Sequence, residues 1–137
     1  MKTDKKQNFG FYVIAMIACI ALIPNIIVSQ NSGIKRTDLQ KHDLSIPGRE
    51  TVQARIDFDA QTAFGKHAHP GEEIIYVLEG TLEYQIEDEK PITLKAGEVL
   101  FIPAGQIHSA KNTTNAKASE LATYIVEKGK PILVLKK

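Results

Sequence analysis

The chain has 137 residues, a length that suits one domain. Hydrophobic residues make up 43% and charged residues 24%, which excludes wholesale disorder and fibrous repeats. Lys and Arg number 17 against 16 Asp and Glu, so the net charge of +1 gives no electrostatic ground for a nucleic-acid partner.

Lys2, Lys5 and Lys6 precede residues 9–28, an apolar run interrupted only by Gly10, Pro24 and Asn25. A basic start before such a run is the pattern of an export signal, here residues 1–29 with a cut after Ser29. The run is also long enough to span a bilayer, so a retained membrane anchor is the alternative and a buried core helix the third. Export makes the protein periplasmic or secreted; an uncleaved segment ties it to the membrane through residues 9–28. The single cysteine, Cys19, lies inside the run. Its removal leaves neither a disulfide nor a thiolate ligand.

Residues 30–48 are polar and irregular and read as a linker or arm, closed by the Pro47-Gly48 turn. From residue 49 to 137 the pattern is β. Val52, Ala54, Ile56 and Phe58 alternate with Gln53, Arg55 and Asp57, the mark of a half-buried strand. Residues 74–78 form a dense apolar strand that turns at Glu79-Gly80. Leu82, Tyr84 and Ile86 alternate on the return. A polar turn at residues 88–91 leads to Ile92 and Leu94. Residues 99–102 form another strand, stopped by Pro103-Ala104-Gly105. Residues 107–110, 121–126 and 132–135 complete the set, with an exposed loop at 111–119. About eight short strands without a convincing helix after Gly33 argue for an all-β sandwich or barrel. Ile74, Tyr76, Leu78, Val99, Phe101, Tyr124 and Val126 are candidates to line its interior. Tyr76, Tyr84, Tyr124 and Gln106 carry polar groups suited to a ligand.

Three of the four histidines fall between positions 67 and 108. His67 and His69, two apart on an extended strand, face the same way. Glu73 follows past the Pro70-Gly71 turn. His108 comes just after a second Pro-x-Gly turn. Three imidazoles and a carboxylate are suitable donors for a divalent transition metal. The bland alternatives are a surface histidine pair and a solvated Glu72-Glu73 face.

The surrounding residues resemble the cupin superfamily, in its small single-domain conserved-barrel type. His67-Ala68-His69-Pro70-Gly71-Glu72-Glu73, then six residues to Gly80, follows the first family motif. Gly97, Pro103, Gly105, His108 and Asn112 follow the second. The glycine expected six residues before His67 is Gln61 here, a departure in a turn and not in a ligand. The resemblance covers roughly residues 49 to 127. It implies a jelly-roll, or double-stranded β-helix, barrel with His67, His69, Glu73 and His108 as metal ligands.

The resemblance also implies chemistry of a dioxygenase, decarboxylase or isomerase kind on a small organic molecule, with Glu73 doubling as a catalytic base. Fe, Mn, Ni, Cu and Zn all accept these donors. A non-catalytic barrel that binds a metal or small ligand is the alternative. A homodimer through edge strands at residues 52–58 and 132–135 is a further expectation.

Overall fold

A computed structural model describes residues 33–136. The apolar segment at 9–28 and its cysteine lie outside the described residues. Ten strands and no helix make up the described residues. In chain order they are β1 (Ile34–Asp43), β2 (Arg49–Phe58), β3 (Ala63–Ala68), β4 (Gly71–Glu79), β5 (Thr81–Ile86), β6 (Ile92–Lys95), β7 (Val99–Ile102), β8 (His108–Lys111), β9 (Ala118–Glu127) and β10 (Val134–Leu135). They form two five-stranded sheets, ordered β1-β2-β9-β4-β7 and β10-β3-β8-β5-β6, and every pairing is antiparallel. This is the all-β two-sheet architecture expected from the strand pattern.

The alternation in β2 works as read: Val52, Ala54, Ile56 and Phe58 are buried, and the residues between them are not. β9 lies alongside and turns Ala118, Glu120, Ala122, Tyr124 and Val126 to the same interior. Leu82 and Tyr84 of β5 and Ala110 of β8 meet them from the second sheet. Tyr124 and Val126 are thus interior residues, as anticipated.

Five of the proposed lining residues face the other way. Ile74, Tyr76 and Leu78 of β4 and Val99 and Phe101 of β7 are exposed. Register explains the correction. Glu73, Ile75 and Val77 lie opposite Tyr124, Ala122 and Glu120 of β9, so they share the buried face. Ile74 and Tyr76 pair with Phe101 and Val99 on the outside. A strand that is apolar on both faces carries no alternation from which to read its parity.

The segment at 30–48 contains β1, which runs along nearly all of β2. Its charged residues gave no alternating signal because both of its faces meet solvent over most of its length. A bulge between Asp38 and Gln40 shifts the register. A charged, bulged edge strand resists pairing with another chain. β2 lies between β1 and β9 and is not an edge, which closes the expected edge-to-edge route through residues 52–58.

Asn112, the last residue of the second motif, is structural here. It is buried, and its Nδ2 donates to the Asp59 carbonyl at 3.1 Å and the Ala116 carbonyl at 2.7 Å. Its Oδ1 accepts from the backbone N–H and the hydroxyl of Thr114 at 3.0 and 2.8 Å. One side chain therefore ties the loop before β9 to the end of β2. Asn112→Ala is expected to lower stability by about 3 kcal/mol, the scale for orphaning several buried polar groups. Chemical denaturation measures it, and a loss below about 0.5 kcal/mol contradicts the role.

Candidate metal centre

His67 near the end of β3 lies directly across from His108 at the start of β8. His69 follows β3, and Glu73 is the third residue of β4. Between them Gly71 brings β4 so close to β9 that any Cβ would collide with the Ile125 carbonyl oxygen. That approach aligns Glu73 with Tyr124 on the interior face. All four side chains are buried, each 6% exposed or less. The ring centroids are 4.1 Å apart for His67 and His108, 5.0 Å for His67 and His69, and 5.2 Å for His69 and His108. One nitrogen from each ring lies within 4.8 Å of the other two.

The backbone fixes which nitrogens converge. Each Nδ1 meets a carbonyl: Gly65 at 2.8 Å for His67, Ile132 at 2.6 Å for His69, and Gln106 at 3.0 Å for His108. A carbonyl only accepts, so each neutral ring carries its proton on Nδ1 and leaves a lone pair on Nε2. Glu73 Oε2 stands 3.1 Å from His108 Nε2 and 3.3 Å from His69 Nε2. With neutral rings these are lone pairs facing lone pairs. Among the described residues, neither His69 Nε2 nor Glu73 Oε2 has a hydrogen-bond partner.

Such an arrangement is costly in an apolar interior unless a cation or shared protons lie between the acceptors. Burial, then the His108 charge, pushes His67 down to about 4, so that ring stays neutral at physiological pH. Burial pushes Glu73 up, but the His108 and His69 side chains beside it outweigh burial and hold the carboxyl at about 2. Three imidazole nitrogens beside an ionised carboxylate fit a divalent transition metal, and carbonyl-anchored Nδ1 atoms are the usual support for metal-binding histidines. The fourth histidine, His42, lies on exposed β1 and takes no part.

Tyr124, expected as a lining residue, packs its ring 4.8 Å from His69. Two residues near the centre were not singled out from the sequence, Arg36 and Glu50. The Arg36 guanidinium of β1 lies 5.3 Å over the Tyr124 ring. Glu50 is buried, with Oε1 at 2.9 Å from Lys41 Nζ. Of the polar residues proposed for a ligand, Tyr76 points outward and Tyr84 inward.

The family model described as a cupin domain matches residues 54–133. A germin-like protein, subfamily 2 member 2, of Arabidopsis thaliana is 38% identical over 87 residues, covering 58% of this chain and 40% of that protein. An oxalate-binding protein of Thermotoga maritima is 36% identical over 74 residues, covering 53% of this chain and 60% of that protein. The chain thus spans about two fifths to three fifths of these relatives. A recombinant oxalate oxidase solved in complex with glycolate shares the fold, with a TM-score of 0.62 and 24% identity over 78% of this chain and 57% of that one.

A second carboxyl, Glu120, is also buried in the barrel. The Tyr84 hydroxyl donates to Glu120 Oε2, joining the two sheets across the interior. Burial, then the Glu73 charge, raises Glu120 to about 8. The alternation Glu120, Ala122, Tyr124, Val126 already placed it inside, had the strand been started early enough. Unfolded, Glu120 loses its proton near 4.5, so between 4.5 and 8 the folded state binds more protons and stability falls as pH rises. His67 has the opposite effect, but only between about 4 and 6.5. In metal-free protein, Tm is therefore expected to fall from pH 6.5 to 8 for the parent chain and to stay level for Glu120→Gln. Equal slopes in thermal unfolding contradict a protonated Glu120.

Proposed function

The chain belongs to the cupin family, and on that premise we propose that it is a metal-dependent barrel that binds a small carboxylate of the oxalate class. His67, His69, Glu73 and His108 hold a divalent first-row transition metal, one of Fe, Mn, Ni, Cu or Zn. The observations that support the reading are the three Nδ1–carbonyl contacts, which leave each Nε2 free, and the grouping of one nitrogen from each ring within 4.8 Å of the other two.

The substrate class rests on charge. A divalent ion on three neutral rings and one carboxylate leaves a net positive centre inside an apolar barrel, which favours a small anion. Arg36 adds a second positive charge by way of the Tyr124 ring that packs on His69. The name of the Thermotoga relative, an oxalate-binding protein, supports the same class.

The metal, when bound, supplies Lewis acidity to a carboxylate oxygen. Glu73, held ionised, serves both as ligand and as the base nearest the ligand. Glu120, held protonated, keeps a second negative charge out of the interior, so the centre stays cationic. The apolar side chains around both exclude water. The lysine-led apolar segment at 1–29 is read as an export signal, which places this chemistry in a periplasmic or secreted setting. The second reading, a barrel that captures the ligand without turning it over, draws on the same Thermotoga relative.

Replacing any one histidine ligand is expected to weaken metal binding by about 100-fold or more. Glu73→Gln, which keeps shape and loses charge, weakens it less than His69→Ala. Glu72→Gln leaves it unchanged, because Glu72 lies on the opposite face of β4. Metal titration of the purified variants measures the series, and loss of metal in Glu72→Gln with retention in Glu73→Gln contradicts the ligand assignment.

Calorimetry on the metal-loaded protein is expected to show oxalate binding more tightly than acetate, and no binding to metal-free protein. Equal binding of oxalate with and without metal contradicts the proposal. Oxygen uptake or carbon dioxide release on adding oxalate separates the enzyme from the binder.

A further inference from the structure

The three imidazoles differ in where their Nδ1 partners lie along the chain. His67 and His108 donate to carbonyls two residues earlier, Gly65 and Gln106. Those contacts form with the local backbone. His69 donates to the Ile132 carbonyl, 63 residues away, at 2.6 Å. Of the three rings, His69 alone is oriented by a distant part of the chain.

The segment that supplies Ile132 is lightly attached. It leaves β9 at Lys128, whose N–H donates to the Gly48 carbonyl at 2.9 Å. Gly129 follows with a φ of 79°, in the left-handed region that glycine adopts freely. The next residues cross to β3. They are held there by the two-residue strand β10, which pairs with Ala68 and His67. The Lys136 N–H adds a bond to the Lys66 carbonyl at 2.9 Å. None of residues 128–136 is buried, and Ile132 packs against the core only in part. A segment with few buried apolar groups and exposed hydrogen bonds opens at lower free energy than the barrel it lies on.

The consequence of opening falls on His69. With the segment docked, a carbonyl fixes the proton on Nδ1 and leaves Nε2 for a metal. With it detached, His67 and His108 keep their local acceptors and His69 loses its own. The His69 proton is then free to occupy either nitrogen.

We propose that residues 129–136 form a strap, hinged at Gly129, whose docking completes the metal centre through the Ile132 carbonyl. Docked, the strap sets three imidazoles for the ion; undocked, it leaves two. The inference rests on the metal centre proposed above and concerns its control. Ile132 is a positioning residue, since it touches a ligand and not the ion. Because the docked form binds metal more tightly, the ion holds the strap down by the same factor.

The full-length parent chain and two full-length variants test it. Ile132→Gly removes the strap's packing and keeps the carbonyl. Lys136→Pro removes the N–H that bonds to Lys66. Neither changes a metal ligand. Each is expected to weaken zinc binding by about 10-fold or more, the scale for losing the partner of a ligating imidazole. In both metal-free variants, nitrogen NMR is expected to show His69 as a mixture of tautomers while His67 and His108 keep Nδ1–H. General destabilisation does not produce that selective change. In the parent chain, zinc is expected to slow amide exchange at Lys136 by about 10-fold or more, and much less at Lys128 ahead of the hinge. Unchanged zinc affinity in both variants, an unchanged His69 tautomer, or equal slowing at Lys136 and Lys128 overturns the strap and leaves the centre standing. A parent chain that binds no zinc at the three histidines overturns the centre itself, and the role of the strap with it.

Discussion

Lone pairs aimed at one point inside an apolar barrel are unstable unless something positive lies between them. That constraint organises the centre of this protein. The carbonyls of Gly65, Gln106 and Ile132 accept hydrogen bonds from Nδ1–H of three rings and so leave the Nε2 lone pairs free. Those carbonyls come from three separate parts of the chain, including the segment just before β10. The barrel must therefore be closed before the centre exists. The glycine at 71 serves the same end by letting β4 approach β9 until Glu73 joins the rings.

The interior also handles its negative charges unequally. Glu73 is held ionised and Glu120 is held protonated, although both are buried. The difference lies in their neighbours. Glu73 faces the Nε2 atoms of His69 and His108, whereas Glu120 faces a tyrosine hydroxyl and the field of Glu73 itself. Two ionised carboxylates in so small an apolar volume would repel, and the one without cationic partners gives way.

Much of this was legible from residue spacing. The turns at Pro47-Gly48, Glu79-Gly80 and residues 103–105 fall where the strands end, and the alternation in β2 gave its buried face directly. Strand parity puts His67 and His69 on one face, while the grouping of His108 and Glu73 with them rests on the resemblance to the cupin motifs. What the sequence concealed has a physical reason in each case. β1 has no buried face over most of its length, so it left no alternation. β4 and β7 are apolar on the outside too, so their pattern carries no parity of its own, and only the inward place of Glu73 marks Ile75 and Val77 as interior. Arg36 could not be linked to the centre because its contact with Tyr124 crosses from β1 over the neighbouring strand.

The central claim is that backbone carbonyls fix the three imidazoles as Nδ1–H tautomers with Nε2 free for a metal. Nitrogen NMR of the side chains reads this directly. In metal-free protein at neutral pH, His67, His69 and His108 are expected to carry their protons on Nδ1, and zinc is expected to shift only their Nε2 resonances while His42 stays as it was. Protons found on Nε2, or a zinc response centred on Nδ1, would contradict the account.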